Sequence, residues 1–189
     1  SNLTTAMLAA LKTEQVQAIE TVDIQALKTS QLAGLASATV QALSTDQVIA
    51  LSTAQVANLT TATMKALTTA QVQAIETVDI QALKTSQLAT IATSTVAALS
   101  TDQIQALLTS QLGALSTSGV RALTTDQLVS LTTDQVASLT TAHVAALTTA
   151  EARALSTDQV QALTTAQLEA MTTDGVAAFE TADFTVLKT

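Results

Sequence analysis

The chain contains no cysteine and no proline, only four glycines, and two aromatic residues, Phe179 and Phe184. The absence of cysteine excludes disulfide bonds and metal sites built on thiolates. Seven basic residues against fifteen acidic ones give a net charge of −8, which disfavours binding to nucleic acids and to anionic membranes. No apolar run approaches the roughly 20 residues of a membrane-spanning helix, so we expect no membrane insertion. A hydrophobic content of 48% nevertheless argues against disorder.

What the chain does contain is one octapeptide, roughly L-[ST]-T-[ADS]-Q-[VLI]-x-A, repeated without insertion or deletion. A large apolar residue recurs at every eighth residue from Leu3 to Leu187, and we number that residue position 1 of each unit. Position 3 is Thr in every unit except at Ser37, position 6 is aliphatic in nearly all units, and position 8 is mostly Ala. A fixed period indicates a linear array in which each unit buries its apolar side against its neighbours.

Charged residues occupy only positions 2, 4, 5 and 7 of the octapeptide. The single histidine, His143, stands at position 5, which is Gln in most units. Because an unpaired charge is costly to bury, the pattern predicts that positions 1, 3, 6 and 8 face the interior and the other four face solvent. This prediction places the Thr column inside and His143 outside.

The octapeptide favours short helices over one continuous helix, because eight residues at the helical period make each column drift by about 80° per unit. Ser100 and Gln103 have the spacing of a capping box, and Leu99 and Ile104 that of a hydrophobic staple. In other units position 2 is Lys or Glu, so the Thr at position 3 is a second candidate for the cap. The sequence therefore predicts an all-α solenoid of very short capped helices, one per octapeptide.

The alternative fold is a β-solenoid in which the Thr side chains form ladders. Thr and Val favour strands, whereas Ala, Gln and Leu do not. Positions 1 and 6 would also lie on opposite faces of an extended strand, so that their apolar side chains would not share one core. We therefore prefer the helical fold.

The domain organisation follows from the repeat. Residues 1–2 precede the first unit and are expected to be a cloning scar on a segment of a longer protein. Residues 3–189 are expected to form a single octapeptide-repeat solenoid. Within it, 11–66 and 67–122 are partly duplicated blocks, since the segment Gln15–Leu32 recurs unchanged as Gln71–Leu88. Such duplication suggests that the length of the array is loosely constrained, as expected of a spacer.

No constellation of reactive residues stands out, and we expect no catalytic, cofactor-binding or metal site. His143 beside Asp and Ser columns suggests a catalytic triad, but we interpret it as a solvated substitution. The pairs Glu20–Asp23 and Glu76–Asp79 are interpreted as solvated carboxylates in the first turn of a helix. No calcium-binding loop motif is present, so calcium binding is not expected. We interpret the methionines as packing substitutions: Met7, Met64 and Met171.

Two resemblances bear on fold and function. The segment Leu123–Val129 (LTTDQLV) resembles the opening helix of TAL-effector DNA-binding repeats, which implies a short capped helix. It does not imply DNA reading, because the base-reading loop and the basic charge of that family are missing. The tandem octads as a whole are similar to repeat segments of large bacterial surface or secreted proteins. This second resemblance implies a spacer, stalk or interaction surface and favours an extracellular or cell-surface location.

The sequence thus predicts a non-catalytic structural or protein-interaction module, a rod-like spacer segment of a larger bacterial protein. A protein partner, or self-association through terminal units, is compatible with this role. One alternative is an ice- or surface-binding array formed by the Thr column. Another alternative is an acidic solenoid that mimics DNA. No enzyme activity is expected.

Overall fold

A computed structural model describes residues 4–187 of the chain. The expected cloning scar at residues 1–2 lies outside the described residues. The described part contains 23 helices of four to six residues each, one per octapeptide, and no β-strand. The all-α prediction is confirmed, and the β-solenoid alternative is wrong.

The described residues fall into two compact units, which meet in sequence between Leu99 and Ser100. The first unit contains twelve helices: α1 (Thr5–Ala9), α2 (Thr13–Gln17), α3 (Thr21–Gln25), α4 (Thr29–Ala33), α5 (Ser37–Ala42), α6 (Thr45–Ile49), α7 (Thr53–Val56), α8 (Thr61–Ala66), α9 (Thr69–Gln73), α10 (Thr77–Ala82), α11 (Thr85–Leu88) and α12 (Thr93–Ala98). The second unit contains eleven: α13 (Thr101–Ala106), α14 (Thr109–Gly113), α15 (Thr117–Val120), α16 (Thr125–Ser130), α17 (Thr133–Ser138), α18 (Thr141–Ala145), α19 (Thr149–Ala154), α20 (Thr157–Ala162), α21 (Thr165–Ala170), α22 (Thr173–Ala177) and α23 (Thr181–Val186). That residues 3–189 form one single array stays a prediction.

Each described helix begins at position 3, which is Thr in every helix except α5, where it is Ser37, and position 2 is the N-cap. Ser100 shows the full capping box: its Oγ accepts the N–H of Gln103 at 3.1 Å, and Gln103 Oε1 accepts the N–H of Ser100 at 2.9 Å. Where position 2 carries no side-chain acceptor, as at Lys28, the glutamine still accepts the backbone N–H, at 2.7 Å from Gln31 Oε1. The choice between the two cap registers is therefore settled in favour of position 2.

Most helices end without glycine, the exceptions being α4, whose C-cap is Gly34, and α14, which ends at Gly113. The position-1 residue is extended, as at Leu99 with φ −60° and ψ 143°, and its N–H bonds back to the position-6 carbonyl of Val96 at 3.2 Å. None of the described residues has a positive φ, so no link between helices needs glycine for its backbone conformation. This geometry explains how helices can follow one another every eight residues in a chain so poor in glycine.

The core consists of the residues at positions 1 and 6, as predicted. Val40 and Ile104 at position 6 are fully buried, and Leu107 at position 1 is 3% exposed. Burial of each such side chain stabilises the fold by about 1.5–3 kcal/mol. The alanines at position 8 are mostly half-buried, and their small side chains lie at the flank of the core.

Within each unit, the main packing partner of a helix is the helix three places along the chain. In the first unit α1 packs on α4, α2 on α5, and the series continues to α9 on α12. In the second unit the series runs from α13 on α16 to α20 on α23. Each unit is therefore an α-solenoid with three octapeptides in one superhelical turn.

The predicted division into inside and outside is wrong at two columns. Every position-5 residue from Gln31 to Asp183 is buried, although this column carries charged residues. The position-3 Thr side chains are exposed throughout the described part, apart from the half-buried Thr5 and Thr157. The reason is that position 2, and not position 3, caps the helix, which leaves the position-3 side chain at the outer edge.

Candidate functional site

The most distinctive cluster of polar contacts is formed by the buried glutamines at position 5. Gln71 is 2% exposed, and its Nε2 donates to the carbonyl oxygens of Val40 and Leu43 at 2.8 and 2.7 Å. Its Oε1 accepts the N–H of Thr68, the N-cap of its own helix, at 2.8 Å. One amide side chain therefore caps the start of α9 and binds the end of α5, four helices earlier.

Seven glutamines at position 5, Gln71 among them, share this arrangement, and they occur in both units. Each of the seven donates to two carbonyls that lie 28 and 31 residues earlier, and the shorter bond measures 2.7–2.8 Å. We call them the bridging glutamines: Gln47, Gln55, Gln71, Gln87, Gln135, Gln159 and Gln167.

The bridging glutamines satisfy backbone groups that a short helix leaves without partners. The last carbonyls of an α-helix receive no i→i+4 hydrogen bond from within that helix, and burying a carbonyl without a donor is costly. Each internal hydrogen bond contributes about 1 kcal/mol net, and losing a buried partner costs about 1–3 kcal/mol. These contacts hold the solenoid together and bring no reactive group to the surface.

His143 occupies one of these buried positions, so its interpretation as a solvated substitution is wrong. Its side chain is 3% exposed, and Nε2 lies 2.9 Å from the carbonyl oxygen of Leu115. Its Nδ1 accepts the N–H of Thr140 at 3.3 Å. Because both ring nitrogens contact the backbone, His143 is not part of a Ser–His–Asp triad.

Three acidic side chains are also buried at position 5. Asp79 is 3% exposed, and its Oδ1 has no hydrogen-bond partner. Asp183 is better satisfied, since it accepts bonds from the N–H of Glu180 at 2.8 Å and the hydroxyl of Thr157 at 2.9 Å. Glu151 accepts the N–H of its own N-cap residue at 2.6 Å. These residues occupy the place of a bridging glutamine without its amide donor.

The two predicted carboxylate pairs therefore differ. Glu20 and Asp23 are both exposed, as predicted for a solvated pair. In the second pair Glu76 is exposed, but Asp79 is buried, so the interpretation of that pair as solvated is wrong. Asp79 is buried because α10 has preceding helices to pack against, whereas α3 lies among the first helices of the unit.

The methionines and phenylalanines differ in their burial. Met64 and Met171 are in the core, as predicted for packing substitutions, whereas Met7 is 51% exposed. Phe179 is buried, but Phe184 at position 6 is 50% exposed. The two rings contact edge to face, with centroids 6.3 Å apart.

The outer surface is formed by positions 2, 3, 4 and 7. It carries the Thr column, whose hydroxyls take part in no hydrogen bond in the described residues except that of Thr157 to Asp183. In residues 4–187 no group of three or more His, Asp or Glu side chains is placed to hold a metal ion. Nor is any helix in this part of the chain long and apolar enough to cross a membrane.

No curated protein matches the chain. Four segments, residues 16–53, 72–109, 108–141 and 141–173, match the protein family described as the ALTTAQ repeat. Together they cover most of the chain. The buried columns and bridging glutamines described above are therefore features of a tandem array, and this chain belongs to the ALTTAQ repeat family.

Proposed function

We propose that the chain is a non-catalytic spacer and protein-interaction module, a rod-like segment of a larger protein. The observation that carries this proposal is that the main contacts are local: helices pack on the helix three places away, and the bridging glutamines bond to the end of the helix four places earlier. An array with such local contacts lengthens by whole octapeptides without disturbing its core. The exact duplication of Gln15–Leu32 as Gln71–Leu88 supports growth by this route.

A pair of deletion variants tests the spacer role. Removal of residues 67–122, a block of whole octapeptides, should leave the helical signal per residue unchanged. It should shorten the maximum dimension in small-angle X-ray scattering in proportion to the loss of length. The matched control removes only residues 71–74, half an octapeptide, which moves every later column to the wrong face. A block deletion that unfolds the chain, or that leaves its maximum dimension unchanged, would contradict the spacer role.

The second candidate is binding to a regular solid surface such as ice. The exposure of the Thr column favours it, because these side chains are not used as caps and face solvent. In the second unit the stacked helices α13, α16, α19 and α22 place four exposed threonines in one row: Thr101, Thr125, Thr149 and Thr173. This candidate expects inhibition of ice recrystallisation that is lost when Thr125 and Thr149 are replaced by Lys. No inhibition by the unmodified chain would remove it.

A further inference from the structure

His143 stands at position 5, which is Gln in twelve units, and its ring makes the same two kinds of contact as a bridging glutamine. Nε2 reaches the carbonyl of Leu115, between α14 and α15, at 2.9 Å. Nδ1 reaches the N–H of Thr140, the N-cap of α18, at 3.3 Å, and Thr140 Oγ1 accepts the N–H of His143 at 3.1 Å. The imidazole therefore connects the start of α18 to the end of α14 in place of an amide.

These partners assign the protonation state of the ring. The Thr140 N–H can only donate, so Nδ1 must be unprotonated and accept. The Leu115 carbonyl can only accept, so Nε2 must carry the proton. Both contacts are satisfied together only by the neutral imidazole with its proton on Nε2. A glutamine amide makes the same contacts at any pH, because it does not titrate.

We propose that His143 is a pH-sensitive latch, which ties α18 to the end of α14 when it is neutral and releases it when it is protonated. A second proton on Nδ1 points at the N–H of Thr140, so two donors face each other and the cap bond is lost. Protonation also places a positive charge in a site where the side chain is 3% exposed. This response is separate from the spacer role, since it concerns one octapeptide.

Charged side chains near the latch are few. The helices packed against α18 are α15 and α21. Their charged residues are Arg121, the C-cap of α15, and Glu169 on α21, and both side chains are exposed. On the adjacent helices, Asp134 of α17 and Arg153 of α19 are exposed, and Glu151 of α19 accepts its own cap N–H. None of these side chains takes part in the two contacts of the ring, so the titration of His143 itself governs the latch.

The direction of the pH effect follows from burial. Burial lowers the pKa of His143, and the bond to the Leu115 carbonyl opposes this shift only in part. A histidine in an unfolded chain has a pKa of about 6.5. Because the folded-state pKa lies below this value, the stabilisation is complete above about pH 6.5 and is lost as the pH falls through the folded-state pKa. Between the two pKa values the folding equilibrium should fall by about tenfold per pH unit.

The test compares the full chain with His143→Gln, which restores the amide of the other units. The pH dependence of urea unfolding is measured for both proteins from neutral to acidic pH. We expect the unmodified chain to lose stability below about pH 6.5 relative to the variant, by up to about tenfold in the folding equilibrium per pH unit. Parallel pH profiles of the two proteins would overturn the proposal.

Two further measurements on the unmodified chain test the proposal even if the fold of His143→Gln is perturbed. The chain has a single histidine, so its imidazole resonances in an NMR titration need no assignment. We expect a midpoint below that of the urea-unfolded chain; an equal or higher midpoint would overturn the proposal. Hydrogen exchange at acidic pH should accelerate at Thr140 relative to Thr132, whose N–H is bound by the amide oxygen of Gln135 at 2.9 Å. Equal protection of the two amides at a pH below the midpoint would likewise contradict the latch.

Discussion

Two stretches of the first unit have the same sequence, Gln15–Leu32 and Gln71–Leu88, but bury different side chains. In both, the helices begin at equivalent threonines. Gln15 is exposed and only caps its own helix, whereas Gln71 is 2% exposed and also bonds to Val40 and Leu43. Local sequence therefore decides where a helix begins, and packing on the helix three places earlier decides whether position 5 is buried.

The largest difference between the two copies is expected in the core. Ile75→Ala removes a side chain that is 4% exposed and should cost about 2–4 kcal/mol, because a cavity remains in a packed site. The same change at Ile19, which is only half-buried, should cost clearly less. Urea unfolding followed by far-UV circular dichroism measures both. Equal losses would show that the two copies pack alike.

The bridging contact is the next largest difference. Gln71→Ala leaves the N–H of Thr68 and the carbonyl of Leu43 without a partner and should cost about 2–3 kcal/mol. The control Gln15→Ala removes only a cap bond at an exposed site and should cost about 0.5 kcal/mol. Native-state hydrogen exchange at the amide of Thr68, compared with that of Lys12, reports the change directly. A larger effect at Gln15 would refute the bridging role.

Substitution of Asp79 is expected to raise the stability of the chain, whereas the substitutions above lower it. Its Oδ1 is buried without a hydrogen-bond partner, and Gln at this position brings an amide donor of the kind that binds carbonyls elsewhere in the column. Asp79→Gln should therefore stabilise the chain by about 1 kcal/mol, whereas Asp23→Gln at an exposed site should change stability by less than about 0.5 kcal/mol. Scanning calorimetry should show a higher Tm for the first variant alone. A lower Tm for Asp79→Gln would contradict this account.

The smallest difference is expected at position 2. Lys84 Nζ donates to Asn58 Oδ1 at 3.1 Å in an exposed contact. Lys84→Ala and Lys28→Ala should each change the free energy of unfolding by less than about 0.5 kcal/mol, because exposed contacts of long side chains contribute little. Urea midpoints for the pair check this. A loss above about 1 kcal/mol in Lys84→Ala alone would extend the difference between the copies to the outer surface.

The helical fold was predictable because it depends on signals within one octapeptide. The spacing of Ser100 and Gln103 predicted a capping box, and the structure contains both of its bonds. Leu99 and Ile104, predicted as a hydrophobic staple, are both buried. The two capping bonds join residues three apart, so they can be read from a single octapeptide.

The buried polar column was not predictable by the same reasoning. Its bonds join residues 28–31 apart, and a single unit contains no sign of which carbonyls its glutamine will meet. Charge misled the prediction, because Asp79 and His143 at position 5 were taken to mark an outward column, whereas both are buried. The frequency of Gln at position 5, in twelve of 23 units, was the available signal, since an exposed position seldom needs one amide so often.

The bridging glutamines repeat, one level up, the bonding rule of the α-helix itself. In an α-helix each residue donates to the carbonyl four residues earlier; here each bridging glutamine donates to the end of the helix four places earlier. An α-helix must order the residues of its first turn before the first hydrogen bond can form, so nucleation is unfavourable. Each later residue adds one bond, so propagation is easy. By the same logic the solenoid should be costly to start, should lengthen readily once five helices are formed, and should fray from its ends.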